Sequence, residues 1–183
     1  MTMHRLLVLA ALFGAPAAMA SSHEEPADEA RMLPTPFTAA EIKAAMPVGL
    51  QIHWEESKNG ATSYSRWTIT AADDTTVTIK FSVHDKDGKQ LGDSVERTSA
   101  FEDLRSHALF PEQRAKREKK TVTSAVGKGD GWQYIVSSKL DDGTKEESRY
   151  TFLRSLPGAP VKTQVFRDGT LVSGMTQVKR INP

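Results

Sequence analysis

The sequence predicts a mainly β protein, an antiparallel meander of about nine strands curled into a half-barrel or barrel, with two short covering helices. Three observations carry that expectation. Apolar residues alternate with polar ones through most of the chain. Asn-Gly or Asp-Gly pairs at 59–60, 87–88, 142–143 and 168–169 separate alternating runs, and such pairs supply the positive φ that tight hairpins demand. Thr38 with Glu41, and Ser99 with Glu102, have capping-box spacing and mark two helix starts.

The clearest hairpin spans residues 132–153. Trp132, Tyr134, Val136 and Leu140 share one parity, Asp142 and Gly143 turn the chain, and Tyr150 and Phe152 resume the same spacing. Upstream, residues 1–20 read as a cleaved signal peptide. Arg5 is its positive end, residues 6–13 its apolar stretch, and Ala18-Met19-Ala20 its cleavage site, with the cut expected after Ala20. Residues 21–36 read as a flexible acidic, proline-bearing leader, and residues 37–183 as a single β-rich domain. A periplasmic or secreted location follows. The chain has no cysteine, so its own core must hold it, which fits a bacterial periplasm. No mature stretch is long and apolar enough to be a transmembrane helix. The near-balanced charge, 24 basic against 23 acidic residues, argues against a nucleic-acid partner.

Residues 38–46 form the first predicted helix, with Phe37 and Ile42 at staple positions and Pro47 and Gly49 as its stop. Strands follow. Leu50, Ile52 and Trp54 alternate in the first, Trp67, Ile69 and Ala71 in the second, and Val77, Ile79, Phe81 and Val83 in the third. A weaker strand is expected at 91–97. Residues 99–110 break the meander with a second helix whose apolar side carries Phe101, Leu104 and Ala108. Residues 113–126 read as a polar strand, the glycine-rich stretch 127–131 as a loop, and 161–167 and 171–181 as the last hairpin.

Nine twisted strands curl, and a curled sheet with one apolar face must close or be covered. A half-barrel with the helices over its concave side is the first expectation and a closed up-and-down barrel the second. In element order and compartment the outline resembles the lipoprotein carriers and lipocalin-like proteins of the bacterial envelope. The likeness rests on no motif residues and transfers no site.

No catalytic constellation stands out. There is no cysteine and no G-x-S-x-G elbow, and the histidines are scattered, so an enzyme is not expected and no cofactor is implied. After cleavage, His23 would stand third from the new N-terminus, where imidazole, amine and amides can hold copper or nickel in a square plane. His53 and His84 lie on polar parities and should share a sheet face. Asp85 and Asp87 belong to a hairpin tip rather than a calcium loop. Arg114, Lys116, Arg117, Lys119 and Lys120 form the densest charge run. They read as an edge strand protected by cations, or as a docking surface for anionic groups or a partner protein.

The leading functional expectation is an exported, soluble, non-catalytic binding protein of the bacterial envelope. Its ligand would be apolar or amphipathic, a lipid or lipid-modified partner, held by Trp54, Trp67, Phe81, Trp132, Tyr134 and Phe152 and gated by Phe101 and Leu104. The alternative is a structural or interaction module that docks another envelope protein through its edge strand or basic run.

Overall fold

A computed structural model describes residues 31–183. The expected signal peptide, most of the expected leader and His23 therefore lie outside the described residues.

Helix α1 (Ala39–Ala44) begins as its capping box requires. The Glu41 amide donates to the Thr38 hydroxyl at 3.2 Å, and the Thr38 amide donates to the Glu41 carboxylate at 2.8 Å. Phe37 and Ile42 are both buried beside it, as a hydrophobic staple requires. Helix α2 (Phe101–Ser106) starts differently. Its N-cap is Ala100, which makes no side-chain cap bond, so the box expected from Ser99 and Glu102 does not form. The cause is the preceding strand, whose ladder runs on through Ser99 and Ala100 against Val77 and Thr76. Ser99 stays extended, and Glu102 pairs instead with Arg105 at 2.6 Å.

Nine strands are formed among the described residues: β1 (Gln51–Lys58), β2 (Ala61–Ala72), β3 (Thr76–His84), β4 (Val95–Ala100), β5 (Ala115–Ser124), β6 (Gly127–Lys139), β7 (Lys145–Leu153), β8 (Lys162–Arg167) and β9 (Thr170–Ile181). They make one sheet in the order β4-β3-β2-β1-β9-β8-β7-β6-β5. The sheet is thus two meanders joined along β1 and β9, which run antiparallel with Gln51 opposite Ile181. Its outer strands β4 and β5 are not paired with each other, so the sheet is an open half-barrel and the closed barrel is set aside. The segment carrying α2 links these two edges by crossing one face.

Turn chemistry explains the hairpins. Asn59 and Gly60 have φ of 50° and 81°, and Asp168 and Gly169 have 44° and 82°. Positive φ at both central residues is what a two-residue turn of matching twist needs. The Asp87-Gly88 pair behaves otherwise. The Asp85 carboxylate accepts the amides of Asp87 and Lys89 at 3.0 and 2.9 Å, and after it only a bridge from His84 to Gln90 forms. The fourth strand accordingly starts later than expected, at Val95.

A second correction concerns residues 127–131, expected as a loop but forming the start of β6 opposite β5. A Cβ on Gly131 would lie 2.0 Å from the Phe152 carbonyl oxygen and 2.7 Å from Val122 Cγ2. Glycine stands there because neighbouring chains approach too closely for a side chain.

The helices cover one face. Ile52, Trp54, Ile69, Val77, Ile79, Phe81, Tyr134 and Phe152 of the sheet form one buried cluster with Phe37, Ile42, Met46, Phe101 and Ala108 of the covering segments. Rings order it. Phe37 meets Trp132 and Phe152 edge-on at 5.9 and 6.0 Å, and Phe110 stacks on Tyr150 at 5.1 Å. The Tyr134 hydroxyl donates to the Pro34 carbonyl and holds the incoming chain inside. On the opposite face Val122, Leu153 and Val161 make a smaller cluster.

Candidate functional site: an uncovered hollow in the half-barrel

The two helices occupy only part of the inner face. The rest is a hollow of about 420 Å³ whose apolar lining includes Trp67, Phe81, Tyr150, Val165 and Met175. Strand register places these together. Trp67 stands opposite Phe81 across β2 and β3, with ring centroids 5.3 Å apart. Tyr150, Thr163 and Met175 stand in one row across β7, β8 and β9. Gly174 beside that row has no side chain, and a Cβ there would come within 3.1 Å of the Ser57 hydroxyl.

Charges ring this floor. Glu56, Lys58, Arg97, Glu146 and Arg167 all line the hollow. The Glu56 carboxylate accepts the Ser65 hydroxyl. Glu146 and Arg167 face each other across β7 and β8 and pair at 3.0 Å. Burial pushes the Tyr150 phenol above its ordinary value, which keeps it neutral. No histidine lines the hollow. An apolar floor inside a charged rim suits a ligand that is itself amphipathic.

The aromatic residues singled out in the sequence divide into two groups. Trp67 and Phe81 line the hollow, Phe81 while also belonging to the buried cluster. Trp54, Tyr134, Phe152 and Phe101 are buried in the helix-covered core, Trp54 at 1% exposure and Tyr134 at 0%. Trp132 and Leu104 pack against that core half-buried. Tyr150, Val165, Met175 and the five charged residues join the hollow without having been singled out. Parity alone could have nominated Tyr150 and Val165. The charged residues meet only through the pairing of distant strands.

The basic run lies on β5, which ends the sheet. Its cations divide between the faces. Arg117 sits over the rings of Trp132 and Tyr134 at 5.1 and 5.7 Å, a cation–π arrangement that holds the guanidinium inward. Lys119 stands opposite Trp132 and shares that side. Lys116 and Lys120 alternate to the other side, where Lys120 reaches Gln133 at 3.4 Å. Arg114 lies in the turn before the strand, its amide donating to the Pro111 carbonyl at 3.0 Å. Lys119, Lys120, Trp132 and Arg154 border a second hollow of about 380 Å³, with Asp130.

His53 and His84 do share the outer face, since His53 stands opposite Arg66, Arg66 opposite Ser82, and His84 follows two places on. They differ in their hydrogen bonding, and the His53 Nε2 is buried without a partner. His84 bonds Ser82 at 2.8 Å and the Gly88 carbonyl at 3.0 Å. Burial, then the nearby Arg66, Lys179 and His84, pull the His53 imidazole below its usual value. Among the described residues no group of three or more His, Cys, Asp or Glu side chains is placed to hold a metal ion. No helix among them is long and apolar enough to cross a membrane.

No protein-family model matches the chain, and no curated protein matches it. Solved structures do. A chain in the complex structure of Pseudomonas aeruginosa MucA/MucB superposes with a TM-score of 0.51 at 13% identity, covering 76% of this chain and 53% of that one. The crystal structure of MucB gives 0.50 at 14% identity, covering 76% and 55%. The chain thus spans about half the length of the solved chains it matches. At this identity the likeness is one of fold alone.

Proposed function

We propose that the chain is an exported, non-catalytic binding module of the bacterial envelope, and that it docks another envelope protein by taking an amphipathic segment of it into the open hollow. One observation carries the reading. Trp67, Phe81, Tyr150 and Met175 line an opening that the covering helices leave unfilled, inside a rim of both charge signs. Exposed apolar patches with polar rims mark interaction sites. The fold likeness supports a protein partner, because MucB has been solved in complex with MucA.

A lipid is the second reading, favoured by the continuity of aromatic rings and thioether along the floor. One experiment separates the two. A photo-crosslinking residue placed at Val165, inside the hollow, is compared in cells with one at Glu55, on the exposed outer face. Docking of a protein predicts a discrete protein adduct at 165 alone, lost when Trp67 is also changed to alanine. An adduct of lipid mass alone supports the second reading and overturns the first. Equal labelling at both positions sinks both.

A further inference from the structure

The second hollow lies on the same concave face as the first, at the other end of the strands. Tyr150 of β7 lines the first, and Arg154, just past the end of β7, lines the second. Four extended residues separate the two by about 13 Å. Phe152 stands between them, with Phe37 of the covering segment packed against its ring. The openings are therefore distinct. Register assembles the second one. Lys119 stands opposite Trp132 and Thr121 opposite Asp130 across β5 and β6. The Arg154 amide donates to the Asp130 carbonyl at 2.9 Å.

Cations crowd this end of the face. Lys119 and Arg154 line the hollow. Arg117 lies beside it over the Trp132 ring, and its buried Nε has no hydrogen-bond partner. Among the described residues none of these three cations enters an ion pair. Lys120 also borders the hollow but turns its ammonium to Gln133. Asp130 is the one carboxylate in the lining. Glu41 lies outside it, already occupied. The Thr38 amide and hydroxyl, and more weakly the Arg154 charge, hold its carboxyl below the ordinary value. Thr121 adds a hydroxyl to the wall. The donors thus come from β5 and from the end of β7, on two sides of one opening. A carboxylate offers two oxygens in one plane. A phosphate group offers three acceptor oxygens and a charge of about −1.5 to −2, which suits cations that converge from different directions.

We propose that the hollow lined by Lys119, Thr121, Trp132 and Arg154 binds a phosphate group. Lys119 and Arg154 hold it from opposite sides, the Thr121 hydroxyl donates to it, and Trp132 forms the wall toward the core. Arg117 adds its charge from behind that ring. The site is separate from the apolar hollow, and neither reading depends on the other.

Nuclear magnetic resonance titration of the full chain with inorganic phosphate, at constant ionic strength, tests it. The Trp132 indole N–H and the Gly131 and Arg154 amides should shift and saturate. Arg154→Gln should weaken binding about tenfold or more, while Lys116→Gln, on the other side of β5, should leave it unchanged. Unshifted amides in β1 and β2 report that both variants are folded. Shifts that never saturate overturn the proposal, and so does equal weakening by the two variants, which would mean diffuse charge. Acetate saturating the same signals at the same concentration also overturns it, in favour of a carboxylate ligand such as an acidic peptide. Flotation with phosphatidic acid vesicles, against phosphatidylcholine vesicles, then separates the sources. Capture by phosphatidic acid alone, lost in Arg154→Gln, assigns the phosphate to a lipid headgroup. Phosphate binding without capture assigns it to a soluble phosphate compound.

Discussion

Asp73 shows how much a single exposed side chain can set. At the turn between β2 and β3 its carboxylate accepts the Thr75 and Thr76 amides at 2.7 and 2.6 Å and the Thr76 hydroxyl at 2.8 Å. These donors favour the ionised form and hold its pKa at about 2, against an ordinary 3.8. A depressed carboxylate stabilises the fold fully above its unfolded value and loses that contribution as pH falls through the folded one. Urea midpoints of the parent and Asp73→Asn should therefore differ by a constant amount near neutral pH and converge as pH falls from 3.8 toward about 2. A gap that is the same at every pH would refute this role. Gly131 is the opposite case, a residue whose value is its absence of atoms. Gly131→Ala should cost about 1–3 kcal/mol in chemical denaturation through overpacking, because its Cβ has nowhere to go. Alternation in the sequence assigned Trp54, Trp67 and Phe81 to one face, and they share it. It carried no information on depth, which depends on where the helices lie over that face.

The elements were legible wherever their signals are local. Thr38 and Glu41 lie within one turn and make the expected cap, so Thr38→Ala should destabilise the protein by about 1 kcal/mol. Thermal unfolding checks it, and an unchanged midpoint would mean that packing of Phe37 and Ile42 alone fixes α1. The Asn59-Gly60 and Asp168-Gly169 turns were legible for the same reason. Three features were not. The 127–131 stretch carries loop composition, yet close-packed neighbours make it a strand. Ser99 has cap chemistry, yet the β3–β4 ladder holds it extended. Asp87-Gly88 has hairpin chemistry, yet Asp85 draws the neighbouring amides into a local loop. In each case a partner remote in sequence, or a competing side chain, outbids the local signal.

For the whole molecule, open curvature could be expected from strand number, but strand order could not. Nothing near residue 51 announces that residue 181 will lie opposite it. The hollow inherits that blindness, since Glu56, Arg97, Glu146 and Arg167 come from four strands and meet only once all are placed. The seam between β1 and β9 makes the two meanders one cooperative body. A chain ending after Arg167 should lose the sharp urea transition and the near-ultraviolet signal of ordered aromatics. An unchanged sigmoidal transition would show that the halves hold without β9.

That seam also sets a timetable. The two rows of ribbon can be stitched only when β9 exists, after every other strand has been synthesised. Until then the two halves lack the strand ladder that joins them. A protein built this way completes its sheet late, with the strand that leaves the ribosome after all the other described ones.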